Sequence, residues 1–263
     1  MPRRTKTQAL GQHFLADKTI LGRIVEAADI GKDEVVCEAG TGTGVLTQEL
    51  CKHAGHVLSY EVDRSLFQKA QSLQFPNLQL INADLFKARE IGFDVFCSNL
   101  PYSKSRDALQ WLATRKFRRA IIMVQQEFAD KLAAGPGDEN YRSISAICSH
   151  CFVIERLFVV GPEAFDPPPS VQSVVLRLTP LRTATRGIVK NINWLFSQRN
   201  KKASSVAAKI GSSIDFGNLR IHQLSPDQLT MLAGWIRCLP CMCPLKTRNS
   251  LQPASVVIGA GGR

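Results

Sequence analysis

The feature that most constrains the fold is a glycine cluster, Gly40-Thr41-Gly42-Thr43-Gly44, set between runs of different period. A short apolar run, Glu34 to Ala39, precedes it; Val45, Leu46, Leu50 and Cys51 follow at helical spacing. Glycines at such a junction let the chain turn tightly and let a ligand reach the backbone, where free N–H groups attract an electron-rich group. Further strand-like runs at 57–61, 78–81, 94–98 and 120–125 are separated by helical stretches such as 64–73 and 105–115. Alternating strands and helices need crossover connections, so an α/β fold with a mostly parallel sheet, covered on both faces, is expected. The glycine turn could also be purely structural.

The rhythm changes further on. Two β-rich runs, 152–160 and 171–178, follow each other through a segment holding Pro167-Pro168-Pro169. This predicts antiparallel strands closing the sheet edge, with the proline segment as a rigid loop outside it. Beyond Pro180 the pattern reads as short helices at 188–197, 199–210 and 225–236, the last opening with an N-cap serine and a first-turn proline, Ser225-Pro226. A domain boundary is expected near residue 182, with a small all-helical domain over 183–240 and a loose tail over 241–263.

Thirty-three Lys plus Arg against 22 Asp plus Glu leave a net charge of +11, which attracts polyanions, nucleic acid first among them. A solubilising surface is the bland alternative. No apolar run is long enough to span a bilayer, and no apolar signal core follows the basic start. A soluble, cytoplasmic protein without a membrane partner is expected. Eight cysteines are too few for a disulfide scaffold. Cys148, His150 and Cys151, and Cys238, Cys241 and Cys243, lack a second pair at zinc-finger spacing, so no metal site is expected.

Glu61 and Asp63 end the strand after the glycine cluster, about 20 positions on, where a carboxylate can bind two ribose hydroxyls. A dinucleotide fold shares this layout but wants its third glycine at position 45, which is Val45. The tighter spacing favours S-adenosylmethionine over NAD. Asp84 ends the third strand and suits either an adenine amine or a helix N-cap. Asn99-Leu100-Pro101-Tyr102 follows the fourth strand. An adenine exocyclic amine is a poor nucleophile because its lone pair is delocalised into the ring. Acceptors on both its hydrogens would localise that lone pair, and the Asn99 side-chain oxygen and Leu100 carbonyl can supply them. Pro101 stiffens the turn, and the Tyr102 ring can stack on a base. An ordinary strand-to-turn sequence with an aromatic lid is the alternative.

These residues make the chain resemble the KsgA-type small-subunit rRNA adenine dimethyltransferases. The similarity runs from Leu10-Gly11-Gln12-His13-Phe14-Leu15 through Glu38 to Gly44, Glu61, Asp84 and Asn99 to Tyr102. It continues through Phe165-Asp166-Pro167-Pro168-Pro169-Ser170-Val171-Gln172-Ser173 to Gln198-Arg199-Asn200-Lys201-Lys202. The resemblance implies a Rossmann-like class I methyltransferase with a mostly parallel seven-stranded sheet and a small helical C-terminal domain. It implies S-adenosylmethionine lined by His13, Leu15, Gly40, Gly42, Glu61, Asp84 and Asn99, with Tyr102 and Phe165 sandwiching the adenine. A core aromatic pinning the proline loop is the alternative for Phe165. Bacterial members usually carry Asn at the place of His13, so the histidine resembles the archaeal and eukaryotic branch.

The implied reaction dimethylates two adjacent adenosines in the terminal hairpin loop of small-subunit rRNA, late in subunit assembly, by a monomer. Loop bases leave their stack cheaply. Three basic groups are expected to meet phosphates: Arg3, Arg4 and Lys6; Arg115, Lys116, Arg118 and Arg119; Arg199, Lys201 and Lys202. A large-subunit adenine methyltransferase of the antibiotic-resistance type remains an alternative. So does a catalytically silent assembly or transcription factor of the same fold, with a dinucleotide oxidoreductase a distant third.

Overall fold

A computed structural model describes residues 13–89 and 91–236. The expected Leu10-Gly11-Gln12 start, the Arg3, Arg4 and Lys6 group, the cysteines after position 237 and the tail all lie outside the described residues.

The runs bracketing the glycines become strand β2 (Val35–Ala39) and helix α2 (Val45–His53), after a short strand β1 (Phe14–Leu15) and helix α1 (Lys18–Ala28). Asp17 starts α1 by accepting the N–H groups of Thr19 and Ile20 at 2.7 and 3.1 Å. There follow β3 (His56–Tyr60), α3 (Arg64–Ala70), β4 (Leu78–Ile81), β5 (Val95–Ser98), α4 (Ser105–Leu112), β6 (Arg119–Gln125) and α5 (Gln126–Ala133). Then come α6 (Ser143–Cys151), β7 (Phe152–Val160), β8 (Phe165–Asp166) and β9 (Ser173–Pro180). The helices α7 (Arg186–Ser197), α8 (Ala203–Lys209) and α9 (Pro226–Trp235) complete the described chain.

Seven strands form one sheet in the order β4-β3-β2-β5-β6-β9-β7. The first five pair in parallel; β9 runs antiparallel to both β6 and β7. The two β-rich runs therefore do close the sheet edge, with β9 slotted inside β7. The proline segment does not lie idle outside it: Phe165 and Leu15 pair, as do Asp166 and Phe14, in a separate two-stranded sheet.

Alternation within the strands divides the core between the two faces. Cys37, Phe96, Ile122 and Leu176 point to one face, with Trp111, Leu112 and Ile147. Val36, Val95, Cys97, Ile121 and Val175 point to the other, against Leu21 and Ile24 of α1 and Leu46 and Leu50 of α2. The C-terminal helices join the first face without a break, through Ile192, Leu195, Leu229 and Leu232. The change from sheet to helices falls between Pro180 and Arg186.

The helix expected over 199–210 starts only at Ala203. Residues 199–203 instead pair with the 219–222 segment: Ala203 N–H donates to Leu219 O at 2.7 Å, and His222 N–H to Arg199 O at 3.2 Å. These long-range bonds satisfy backbone groups that an earlier helix start would have used. Ser225 caps α9 as expected, in a reciprocal pair with Gln228.

Candidate active site

Crossover connections leave a crevice at the carboxyl ends of the parallel strands. There a cavity of about 450 Å³ is lined by His13, Leu15, Gly40, Gly42, Glu61, Asp84, Asn99, Leu100 and Pro101. Most of the residues expected at the site thus meet around one space. Its size suits a small-molecule ligand.

The glycine loop has the backbone its residues foretell. Gly40, Gly42 and Gly44 have φ of 83°, 57° and 83°. A Cβ at Gly40 would meet no atom within 4 Å, so the glycine keeps open a space a ligand can fill. Glu61 is buried; Oε2 accepts the Gly42 N–H at 2.9 Å and Oε1 the Asp63 N–H at 2.8 Å. Each oxygen retains acceptor capacity for a ligand hydroxyl. Beside it Val62 is 69% exposed yet lines the cavity, an apolar surface against which a flat ring can lie. Asp84 forms the expected cap, Oδ1 accepting the Phe86 N–H at 3.0 Å, and it also lines the cavity. A donor carrying ribose, adenine and a positive centre fits this mixture of carboxylates, apolar wall and bare backbone.

Glu38 lies beneath the glycine loop, fully buried. Its Oε2 accepts hydroxyls from Thr47 and Ser59, each at 2.6 Å, while Oε1 has no partner among the described residues. Burial pushes its carboxyl up to about 7, against the opposing pull of the Ser59 and Thr47 hydrogen bonds; neighbouring Glu61 raises it further.

At the far wall, β5 ends and Pro101 (φ −52°, ψ 135°) turns the chain into a short helical turn over Tyr102–Lys104. Asn99 Nδ2 lies 3.5 Å from the His13 carbonyl oxygen, which leaves Oδ1 as the free acceptor of the amide. Tyr102 is half-buried, its hydroxyl 2.8 Å from Ser173 Oγ; burial raises its phenol and the serine bond opposes that. The His13 ring stacks on Tyr102 with centroids 5.7 Å apart. Ser173 closes the proline motif of the sequence without a role of its own there; this contact ties it to the site.

The expected sandwich of Tyr102 and Phe165 is not formed. Phe165 is 4% exposed and belongs to the core with Leu15, Val160 and Ala164. Its own β8 pairing with β1 pulls the ring inward, so it pins the proline segment. Tyr102 meets His13 in its place.

The basic group at 115–119 also needs correction. Arg119 begins β6 level with Val95, the start of β5, so it sits at the opposite end of the sheet from Asn99, roughly 13 Å along the strand direction. Arg119 donates to Ala28 O and pairs with Glu34 at 3.3 Å and Asp29 at 3.4 Å; Arg118 also holds Glu34, at 2.7 Å. Arg115 closes over Trp111 and donates to the carbonyls of Ala88 and Arg89. Arg118 and Arg119 are therefore neutralised by acids and Arg115 is folded onto Trp111, while Lys116 stands exposed without such a partner among the described residues. Lys201 and Lys202 are exposed, and Arg199 is half-buried near the turn before α8.

Cys148 and Cys151 point into the core, where burial raises both thiols, Cys151 to about 11. His150 turns outward to Asp227, 2.8 Å away. Among the described residues no cluster of His, Cys, Asp or Glu is placed to hold a metal, and no helix is long and apolar enough to cross a membrane.

Comparison with known proteins agrees with this geometry. A dimethyladenosine transferase from Plasmodium falciparum superposes with a TM-score of 0.69 at 24% identity, covering 84% of this chain and 96% of that one. The 23S rRNA methyltransferase ErmE superposes at 0.56 and 24% identity, over 85% and 99%. At those identities the likeness concerns the fold, that of class I methyltransferases. The ribosomal RNA small subunit methyltransferase A of Thermotoga neapolitana is 34% identical over 242 residues, covering 88% of this chain and 92% of its own. A protein named probable ribosomal RNA small subunit methyltransferase A, from Pyrococcus abyssi, is 30% identical over 244 residues, covering 87% and 91%. The ribosomal RNA adenine dimethylase family model matches residues 3–219, and the chain belongs to that family.

Proposed function

We propose that this protein transfers methyl groups from S-adenosylmethionine to the exocyclic amines of two adjacent adenosines in the 3′-terminal hairpin loop of small-subunit rRNA. The observation that carries the proposal is the Asn99–Pro101 turn forming one wall of the cavity whose other walls are Gly40, Glu61 and Asp84.

When bound, S-adenosylmethionine supplies a methyl group on a positively charged sulfur, an electrophile that an amine nitrogen can take. Glu61 would accept ribose hydroxyls with the lone pairs left over from Gly42 and Asp63. Asp84 and Val62, both on the cavity wall, would receive the donor's adenine amine and pack on its ring. On the substrate side, Asn99 Oδ1 and Leu100 O accept the two hydrogens of the target amine. They draw its nitrogen toward a tetrahedral shape, and this matters because acceptors already in place need not reorganise as charge develops. The hydrogen bond to the His13 carbonyl sets which end of the Asn99 amide faces the substrate. Tyr102 presents a ring for the flipped base, held by Ser173 from the far side. The nitrogen–methyl bond would form as the sulfur–methyl bond breaks, the donor leaving as a neutral thioether, and the protonated amine loses its proton to water, so no side chain need act as base. After one transfer a single hydrogen remains on the nitrogen, and one acceptor still holds it for the second.

The test is transfer of labelled methyl from the donor to small ribosomal subunits lacking these modifications, with mass spectrometry of the loop. Large subunits serve as the parallel substrate. Two dimethylated adjacent adenosines in the small subunit are expected; labelling confined to large subunits, or binding without any transfer, would overturn the proposal.

A further inference from the structure

What each cation is bonded to separates two basic surfaces. At the far end of the sheet, Arg118 and Arg119 share Glu34 and Arg119 also holds Asp29, so their charge is neutralised on the spot. At the cavity end, a second series is held by neutral oxygens. Arg106, in the first turn of α4, donates through Nη2 to Ser143 Oγ and Asn193 Oδ1, both at 2.9 Å. Arg142, adjoining Ser143, donates to the carbonyls of Glu139 and Tyr141. Arg199 Nη2 lies 3.3 Å from that same Glu139 carbonyl. Arg220 donates to the carbonyl of Asn200, the neighbour of Arg199.

Arg142 and Arg199 share the Glu139 carbonyl, Arg106 holds Ser143 beside Arg142, and Arg220 holds Asn200 beside Arg199, so the four follow one another in a row. It begins beside Lys104 on the cavity wall and crosses the helical region to the turn before α8. Among the described residues none of the four has a carboxylate within 4.0 Å. The acids nearby are Asp107, 3.3 Å from Lys104; Asp138, bonded to Asn140 N–H; Asp215, bonded to Gly217 N–H; and exposed Glu139. A guanidinium bonded to a carbonyl keeps its full charge and has further N–H groups to offer. A row of such groups repels itself until an anion lies across it, and the planar fork suits phosphate.

We propose that Arg106, Arg142, Arg199 and Arg220 form a continuous phosphate track for the rRNA strand that leads into the cavity. The proposal rests on the rRNA reading above and deepens it: the strand leaves the site across α6 and the turn before α8, not across the 115–119 edge.

The experiment measures binding of small ribosomal subunits lacking the loop methyl groups, over a range of salt, for wild type and a triple variant, Arg106→Gln, Arg142→Gln and Arg220→Gln. Each released counterion contributes about 0.7 to 0.9 to the log–log salt slope, so the slope should flatten by about 2 and binding at 0.1 M salt fall about 100-fold. Donor affinity should stay within about twofold, since none of the three lines the cavity. The matching triple Lys variant keeps the charges and should keep the slope, which separates charge from any loss of folding. Arg118→Gln should behave as wild type. An unchanged slope in the Gln triple, with wild type binding normally, overturns the track alone. Wild type that neither binds nor methylates the subunits overturns the rRNA reading and the track with it.

Discussion

Nδ1 of His13 lies 2.8 Å from the carbonyl oxygen of Pro167, joining the segment before β1 to the proline segment. The same residue stacks its ring on Tyr102 and offers its carbonyl to Asn99. One residue thus ties together both edges of the site and the turn between them. His13→Ala should cost about 1 kcal/mol in stability through the lost hydrogen bond. Turnover should fall about tenfold or more, because a small displacement of Asn99 spoils its aim. Urea unfolding and single-turnover methylation, compared side by side, check both.

In the proposed reaction Asn99→Ala removes one of the two acceptors for the target amine. Loss of one such preorganised group lowers turnover by about 100- to 1,000-fold. Asn99 is half-exposed and outside both core clusters, so thermal stability should change little. Single-turnover rates and a melting curve on the same preparation decide the matter; a rate within a few-fold of wild type contradicts the assigned role.

Tyr102 and Ser173 are coupled through one hydrogen bond at 2.8 Å. Ser173 is fully buried, so a lone partner on either side is costly. Tyr102→Phe and Ser173→Ala should each destabilise by about 1 kcal/mol, and the double variant by no more than the worse of the two. Additive losses in a double-mutant cycle would show that the contact carries no energy.

Glu38 provides a pH signature. In the folded chain its carboxyl, pushed up by burial, holds its proton to about 7, whereas the unfolded chain releases it near 4.5. Between those values the folded state binds more protons, so this residue makes stability fall as pH rises. Glu38→Gln has no proton to lose. Its stability relative to wild type should therefore climb by about 3 kcal/mol from pH 4 to pH 8. Urea titrations at both ends measure this, and a flat difference would refute it.

Arg119 should behave as a structural cation. Its side chain is 11% exposed and serves Ala28 O, Glu34 and Asp29. Arg119→Gln should cost about 1 to 3 kcal/mol while leaving the salt dependence of subunit binding unchanged. A shallower salt slope in this variant would return the 115–119 edge to the RNA-facing surface.

Local pattern carried much of the fold. The strands at 57–61, 78–81, 94–98 and 120–125 all appear within a residue or so of their expected bounds, because buried parallel strands are written as compact apolar runs. The helices α1, α5 and α6 were not foreseen, although Asp17 is an N-cap signal for the first. Of the site, Gly40, Gly42, Glu61, Asp84 and Asn99 were readable because each sits at the end of a strand, where the chain order of an α/β sheet brings them together. The contact of Ser173 with Tyr102 was not, since the two lie 71 positions apart.

Sequence alone determined the glycine turn, the alternation of parallel strands with crossover connections, and the residue types set at the Asn99–Tyr102 turn, because these depend on periodicity and residue type over a few positions. Tertiary structure alone decided that Phe165 faces the core, that His13 covers Tyr102, and which arginines are neutralised. Those outcomes depend on which distant carboxylate, carbonyl or ring comes within hydrogen-bonding or packing distance, and no local pattern encodes that distance.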